Sequence, residues 1–227
     1  MRLGVLLVDN LNPEHAAVDG DYDELYRWVF EAPDVELEFH AAHRGELPPS
    51  VRGVDAWVIG GSRASVYDDE PWIHSLRDFV REAYFADMTL IGICFGHQLI
   101  ADVLGGKAGP ADIGWNAGAI TYHRTDGTTF ELLASHRDQV LERPHGGEVT
   151  VWAEHCPVAG YRIGNQVTTI QPHPEFSPEL GAALYSGRRH LLGDDMVEHA
   201  VASCRTAELA RRTIGDELLD FVRSRPI

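Results

Sequence analysis

The sequence predicts an α/β fold in which a mostly parallel sheet is covered by helices on both faces. Three observations carry this expectation. Short apolar runs bounded by polar turns recur between Leu3 and Ile93, segments of helical length separate them, and the last run ends in a glycine-flanked turn that starts a helix.

Leu3 to Val8 is continuously apolar and stops at Asp9-Asn10, as expected of a strand covered on both sides. Val54 to Ile59 and Thr89 to Ile93 repeat the pattern. Asp23 to Phe30 and Pro71 to Tyr84 lie between them with helical composition, and the second puts Trp72, Leu76, Phe79 and Val80 on one face. Strand and helix in alternation imply parallel crossovers. After Asp138 the texture changes to closely spaced strand-like runs, Glu148 to Trp152, Val158 to Ile163 and Gln166 to Ile170, which predict a small antiparallel addition. Pro178 to Val222 reads as helical. Within it, Val197, Val201, Ala207, Leu209, Ile214, Leu218 and Phe221 predict two or three helices that complete the core or form a lid or oligomer surface. No repeat or linker interrupts the chain, so one domain is expected.

Composition narrows the function. The chain has 227 residues with 19 Lys and Arg against 35 Asp and Glu, a formal charge of −16. Hydrophobic residues make up 44% and charged residues 24%, which suits a compact globular protein and excludes wholesale disorder. Binding nucleic acid through phosphates needs a basic stripe, and no cluster exceeds Arg188-Arg189 or Arg211-Arg212; an anionic membrane surface is disfavoured for the same reason. Cys94, Cys156 and Cys204 are too few and scattered for a disulfide framework. The apolar start is too short for a signal peptide or a membrane span, so a reducing cytoplasm is expected. His97, His136 and His173 lack HExxH or CxxC spacing and no GxxxxGK[ST] occurs, so neither metal nor cofactor is expected.

The segment Gly92-Ile93-Cys94-Phe95-Gly96-His97-Gln98 is the most informative. A buried strand running through Gly-x-Cys-x-Gly into a helix is a nucleophile elbow with Cys in place of Ser. Glycines at 92 and 96 let strand and helix approach closely, and Cys94 would sit at a helix N-terminus, where the dipole favours thiolate. A buried packing cysteine is the plainer alternative. A nucleophilic cysteine needs a base and a group to orient it. Gln171-Pro172-His173-Pro174-Glu175 offers both, in a segment stiffened by two prolines; a solvated proline-rich loop is the alternative.

The elbow followed by His173-Pro174-Glu175 resembles the class I (triad) glutamine amidotransferase family, and the similarity runs from Leu3 to about Pro178. Within the family the chain looks most like stand-alone members similar to the GMP synthase glutaminase domain or to γ-glutamyl peptidases. Ser65-Val66-Tyr67-Asp68, Pro71-Trp72, Leu104-Gly105-Gly106 and Gly114-Trp115 support it in order. The resemblance implies a flavodoxin-like three-layer fold over residues 1–190, with 191–227 as a helical extension packed on the same domain. It implies that Cys94 attacks the side-chain amide of glutamine, that His173 moves protons and that Glu175 fixes its tautomer. It implies an oxyanion hole from the N–H groups of Phe95 and Gly61, and substrate contacts from Gln98, Ser135 and His136. Ser62 stands where the family commonly has Pro, which leaves that loop less rigid. With this core filling most of the length, the expected acceptor of ammonia is a separate synthetase, or there is none and the chain is a γ-glutamyl peptidase. A non-catalytic binding module on the same fold is the other alternative.

Overall fold

The computed structural model describes residues 1–225. Its elements in chain order are β1 (Arg2–Leu6), α1 (Pro13–Asp19), α2 (Tyr22–Val29), β2 (Glu36–His40), β3 (Ala56–Ile59), α3 (Pro71–Phe85), β4 (Thr89–Ile93) and α4 (Phe95–Val103). Seven strands follow: β5 (Lys107–Pro110), β6 (Asn116–Arg124), β7 (Thr129–His136), β8 (Asp138–Glu142), β9 (Glu148–Ala153), β10 (Cys156–Ile163) and β11 (Val167–Ile170). The chain ends in α5 (Pro178–Gly187), α6 (Arg189–Leu192), α7 (Asp194–Thr206) and α8 (Arg211–Arg223).

Nine strands form one sheet in the order β2-β1-β3-β4-β11-β10-β9-β6-β7. The first five are parallel, and the rest continue the sheet antiparallel. With β11 as the fifth parallel strand, the order is the 2-1-3-4-5 arrangement of flavodoxin-like sheets. Strands β5 and β8 pair separately as a small antiparallel sheet. Among the described residues no helix is long and apolar enough to cross a membrane.

Side-chain alternation divides the core into two layers. Leu3, Val5, Val58 and Ile91 pack with α2, α5 and α8 on one side, while Leu6, Trp57, Ile59 and Leu90 pack with α3 and α4 on the other. Local chemistry sets the helix starts. Asp21 and Glu24 form a capping box on α2, Pro71 opens α3, and the Ser177 hydroxyl accepts from the Leu180 N–H ahead of Pro178 in α5.

Two parts of the sheet lack the apolar runs that mark the others. β2 alternates Glu36 and Glu38 with half-buried residues, as an edge strand does. The antiparallel part begins before Asp138, at Asn116: β6 contains Gly118 and two alanines, weak strand formers, and its hairpin to β7 turns at Asp126-Gly127.

Three parallel strands end at one edge, and each delivers a loop there. Gly60-Gly61 follows β3, Cys94 follows β4, and Gln171 to Glu175 follow β11. Ligands bind outside the carboxyl ends of such strands.

Candidate active site

Cys94 has φ 51° and ψ −102°, one of two non-glycine residues with positive φ among those described. Such a conformation costs roughly 1–3 kcal/mol and persists only where its surroundings impose it. Here the Cys94 N–H donates to Ile170 O at 2.9 Å, the Gly96 N–H to Gly60 O at 3.0 Å and the Gln98 N–H to Cys94 O at 3.1 Å. A Cβ on Gly92 would lie 2.7 Å from the Gly96 carbonyl group, and one on Gly96 would lie 2.1 Å from Ile59 O. Both glycines are therefore steric requirements of the elbow.

His173 is held by its own backbone, whose N–H donates to Leu133 O at 3.0 Å, and by its ring, stacked on Phe176 with centroids 4.1 Å apart. Its Nδ1 lies 2.7 Å from Glu175 Oε1. A carboxylate accepts, so Nδ1 carries the proton. Nε2 is buried without a hydrogen-bond partner among the described residues, as is Glu175 Oε2. A Cβ on Gly61 would stand 3.0 Å from His173 Cε1 and 3.6 Å from Cys94 Cβ, which places all three chain segments in contact. Burial opposes charging the ring, but the Glu175 carboxylate and the Cys94 sulfur outweigh it and raise His173 to about 10. Arg211 of α8 braces this loop through the carbonyl oxygens of Pro174 and Glu175, at 3.1 and 3.0 Å.

The Gly60-Gly61 turn has a feature its sequence does not reveal. The Gly61 N–H donates to Tyr26 Oη at 3.1 Å, and that hydroxyl reaches Glu175 Oε1 at 3.5 Å. A Cβ on Gly60 would lie 2.5 Å from the same hydroxyl, so Gly60 makes room for Tyr26. Burial and the Glu175 charge push the Tyr26 pKa well above its usual value, which keeps the phenol protonated. Tyr26→Phe leaves the buried Gly61 N–H without an acceptor, and a loss of about 1–3 kcal/mol of stability is expected in urea unfolding. Tyr67→Phe, at an exposed hydroxyl, is the control. Ser62 ties the following loop: its Oγ accepts from the Ala64 N–H at 3.1 Å, and Arg63 is clamped on Asp9. These bonds supply rigidity that a proline would otherwise give.

Cys94, Phe95, Gln98, Ser135, His136 and His173 line one cavity of about 280 Å³, near the lower end of small-molecule sites. Gln98 Nε2 donates to Asp138 O at 2.8 Å and Gln171 Oε1 at 3.0 Å, so its amide offers the cavity only an acceptor. His136 Nδ1 donates to Asp138 O at 3.1 Å, which leaves Nε2 a lone pair without a partner among the described residues. Ser135 Oγ accepts from Arg188 at 2.5 Å.

The histidines of this region set opposite pH limits. Burial lowers His97 and His136 from 6.5 to about 3 each, whereas His173 is raised to about 10. Below pH 6.5 the unfolded chain protonates His97 and His136 while the folded chain does not, so their contribution falls as pH drops towards 3. His173 contributes fully below 6.5 and loses that contribution as pH rises towards 10. Stability measured by urea midpoint is expected to peak near neutrality. His97→Gln should flatten the acid slope by about 1.4 kcal/mol per pH unit, and an unchanged slope contradicts this.

The family model for "Glutamine amidotransferase class-I" matches residues 35–186, more than half of the chain and including the elbow and His173-Pro174-Glu175. The chain belongs to this family. As a class I glutamine amidotransferase, it is 32% identical over 176 residues to γ-glutamyl peptidase 2 of Arabidopsis thaliana, covering 71% of this chain and 70% of that protein. It is 29% identical over 186 residues to the glutamine-hydrolysing GMP synthase of Porphyromonas gingivalis, covering 76% of this chain but 35% of that one. A glutamine amidotransferase of Thermotoga maritima has the same fold, with a TM-score of 0.74 over 99% of this chain and 97% of that one at 14% identity.

Within this amidotransferase the structure adds residues that sequence reasoning missed. Tyr26, Asp138, Arg188 and Arg211 reach the site or its loops from other segments. Only Asp138 carried a local signal, since it follows Ser135-His136-Arg137 directly. The family match stops before α7 and α8, yet α8 supplies the brace at Arg211.

Proposed function

We propose that this amidotransferase hydrolyses γ-glutamyl amide bonds, that of glutamine first among them, through a thioester on Cys94. The observation that carries the reading is that the strained Cys94 and His173 line one cavity, with Gly61 packed against both and the buried Glu175 holding the imidazole from behind. Cys94 thiolate attacks the amide carbon, and the carbonyl oxygen becomes an oxyanion. Phe95 opens α4, so its N–H is among those a helix leaves free and can take that charge. Gly61 is the second donor once its N–H turns from Tyr26 to the oxyanion; each such donor is worth about 3 kcal/mol in the transition state. His173 gives its Nε2 proton to the departing nitrogen, and ammonia or an amine leaves. Water then attacks the thioester, His173 takes the water's proton, and glutamate departs with Cys94 restored as thiolate. Glu175 holds the imidazole throughout and stabilises its charged form.

One relative of similar length is a γ-glutamyl peptidase, which favours a second reading in which the scissile bond joins glutamyl to another amino acid. A separate synthetase is the partner if ammonia is the useful product. Three free thiols suit a reducing compartment such as the cytoplasm.

Steady-state turnover of glutamine and γ-glutamyl dipeptides by the purified chain separates these readings. A glutamine-like diazoketone is expected to alkylate Cys94 alone. Burial raises Cys156 to about 12 and Cys204 to about 11, so neither competes as a thiolate. Labelling of either of those, with Cys94 untouched, overturns the catalytic reading and leaves the binding module.

A further inference from the structure

Three guanidinium groups line the cavity, and two are already matched to carboxylates. Arg63 is clamped on Asp9 and also reaches Asn12; Arg137 lies 3.2 Å from both Asp138 and the Tyr67 hydroxyl. The Arg188 guanidinium has a single hydrogen bond, from Nη1 to Ser135 Oγ at 2.5 Å, and no carboxylate within 4 Å among the described residues. A guanidinium carries five N–H donors, so most of its capacity is unused. Arg188 is half-buried, and its backbone N–H closes α5 on Leu184 O and Tyr185 O at 3.2 and 3.1 Å. The charge is thus fixed on the wall of the cavity that holds Cys94.

We propose that Arg188 is the carboxylate receptor of the site and takes the α-carboxylate of the glutamyl substrate. This rests on the γ-glutamyl reading above and goes further, since it assigns the group that selects an amino acid over a plain amide. Four C–C bonds separate the amide carbon of glutamine from its carboxylate carbon. A ligand with its amide at Cys94 therefore carries its negative charge elsewhere on the same small cavity, where Arg188 is the guanidinium left to meet it. Ser135, bonded to Arg188, supplies a hydroxyl beside the same carboxylate. Arginine suits this task because its planar fork matches a carboxylate at two points.

The test uses Cys94→Ala protein, which binds without turning over, titrated by calorimetry with glutamine and with 4-aminobutanamide, which keeps the amide and amine but lacks the carboxylate. Adding Arg188→Gln is expected to weaken glutamine about 10- to 100-fold while changing 4-aminobutanamide less than about twofold. Arg188→Lys should recover part of the loss and shows that the charge, rather than the fold, is responsible. Equal weakening of both compounds, or undiminished glutamine binding, overturns the proposal. A loss confined to γ-glutamylglycine and absent with γ-glutamylmethylamide moves the contact to the leaving group and overturns the α-carboxylate assignment. Turnover by the unmodified chain is a separate measurement: its absence alongside the Arg188-dependent preference refutes hydrolysis and leaves the receptor in place.

Discussion

Cys94→Ala is expected to reduce glutamine or γ-glutamyl amide hydrolysis by about 10⁴-fold or more, and His173→Ala to cost nearly as much. The double variant should lose almost nothing further, because the thiolate and the imidazole act as one unit: neither attack nor departure of the amine proceeds without the other. Glu175→Gln should cost less than either, since it keeps a side chain of the same size beside Nδ1 while removing the charge that raises His173. The same change brings the imidazole towards its ordinary range, so the pH profile of the residual rate should move to lower pH at its upper limb. Single-turnover rates with unchanged far-ultraviolet circular dichroism check the series. Additive losses, or a Cys94→Ala rate within tenfold of the parent, would remove the cysteine from the mechanism.

The two parts of the site that sequence reasoning paired differ in why they were legible. The elbow is a backbone requirement: Gly92 and Gly96 stand where any Cβ would strike another main-chain segment, so the constraint is written into adjacent residues. His173 and Glu175 are also close in sequence, and the prolines around them mark a fixed segment. Tyr26, by contrast, meets Glu175 across 149 positions, and nothing in its helix distinguishes it from Tyr22, which is buried beside it. Arg188 looks like one of several surface arginines until the structure places it on the cavity of Cys94, the one of three arginines there without a carboxylate among the described residues. Strands β1, β3 and β4 announced themselves through apolar runs; β2 and β6 did not, because edge position and small residues remove that signal. What remains invisible in the sequence is long-range pairing.

Gly96→Ala should test how tightly the fold and the proposed nucleophile are joined. The new methyl group would lie 2.1 Å from Ile59 O and 2.8 Å from Ile59 C, so α4 has to move off the end of β3. Backbone atoms on both sides cannot rotate away as a side chain can. A loss of about 3–5 kcal/mol follows, a large part of the roughly 5–15 kcal/mol that a domain has in reserve. For a chain of this length it corresponds to a fall in melting temperature of about 6–20 °C. Gly45→Ala is the comparison, because Gly45 has φ 79° but nothing within 4 Å of a Cβ, so it carries backbone strain of about 1–2 kcal/mol without crowding. The contrast matters for function. The close approach of α4 to β3 is also what brings the Gly96 N–H onto Gly60 O and fixes the turn containing Cys94. If Gly96→Ala melts within about 3 °C of the parent, the elbow is looser than its geometry demands and the strain at Cys94 is not imposed by this contact. If it melts far below while Gly45→Ala does not, the packing of one helix on one strand is what holds the buried thiol in its strained conformation at the end of β4, and fold stability and nucleophile placement are the same interaction.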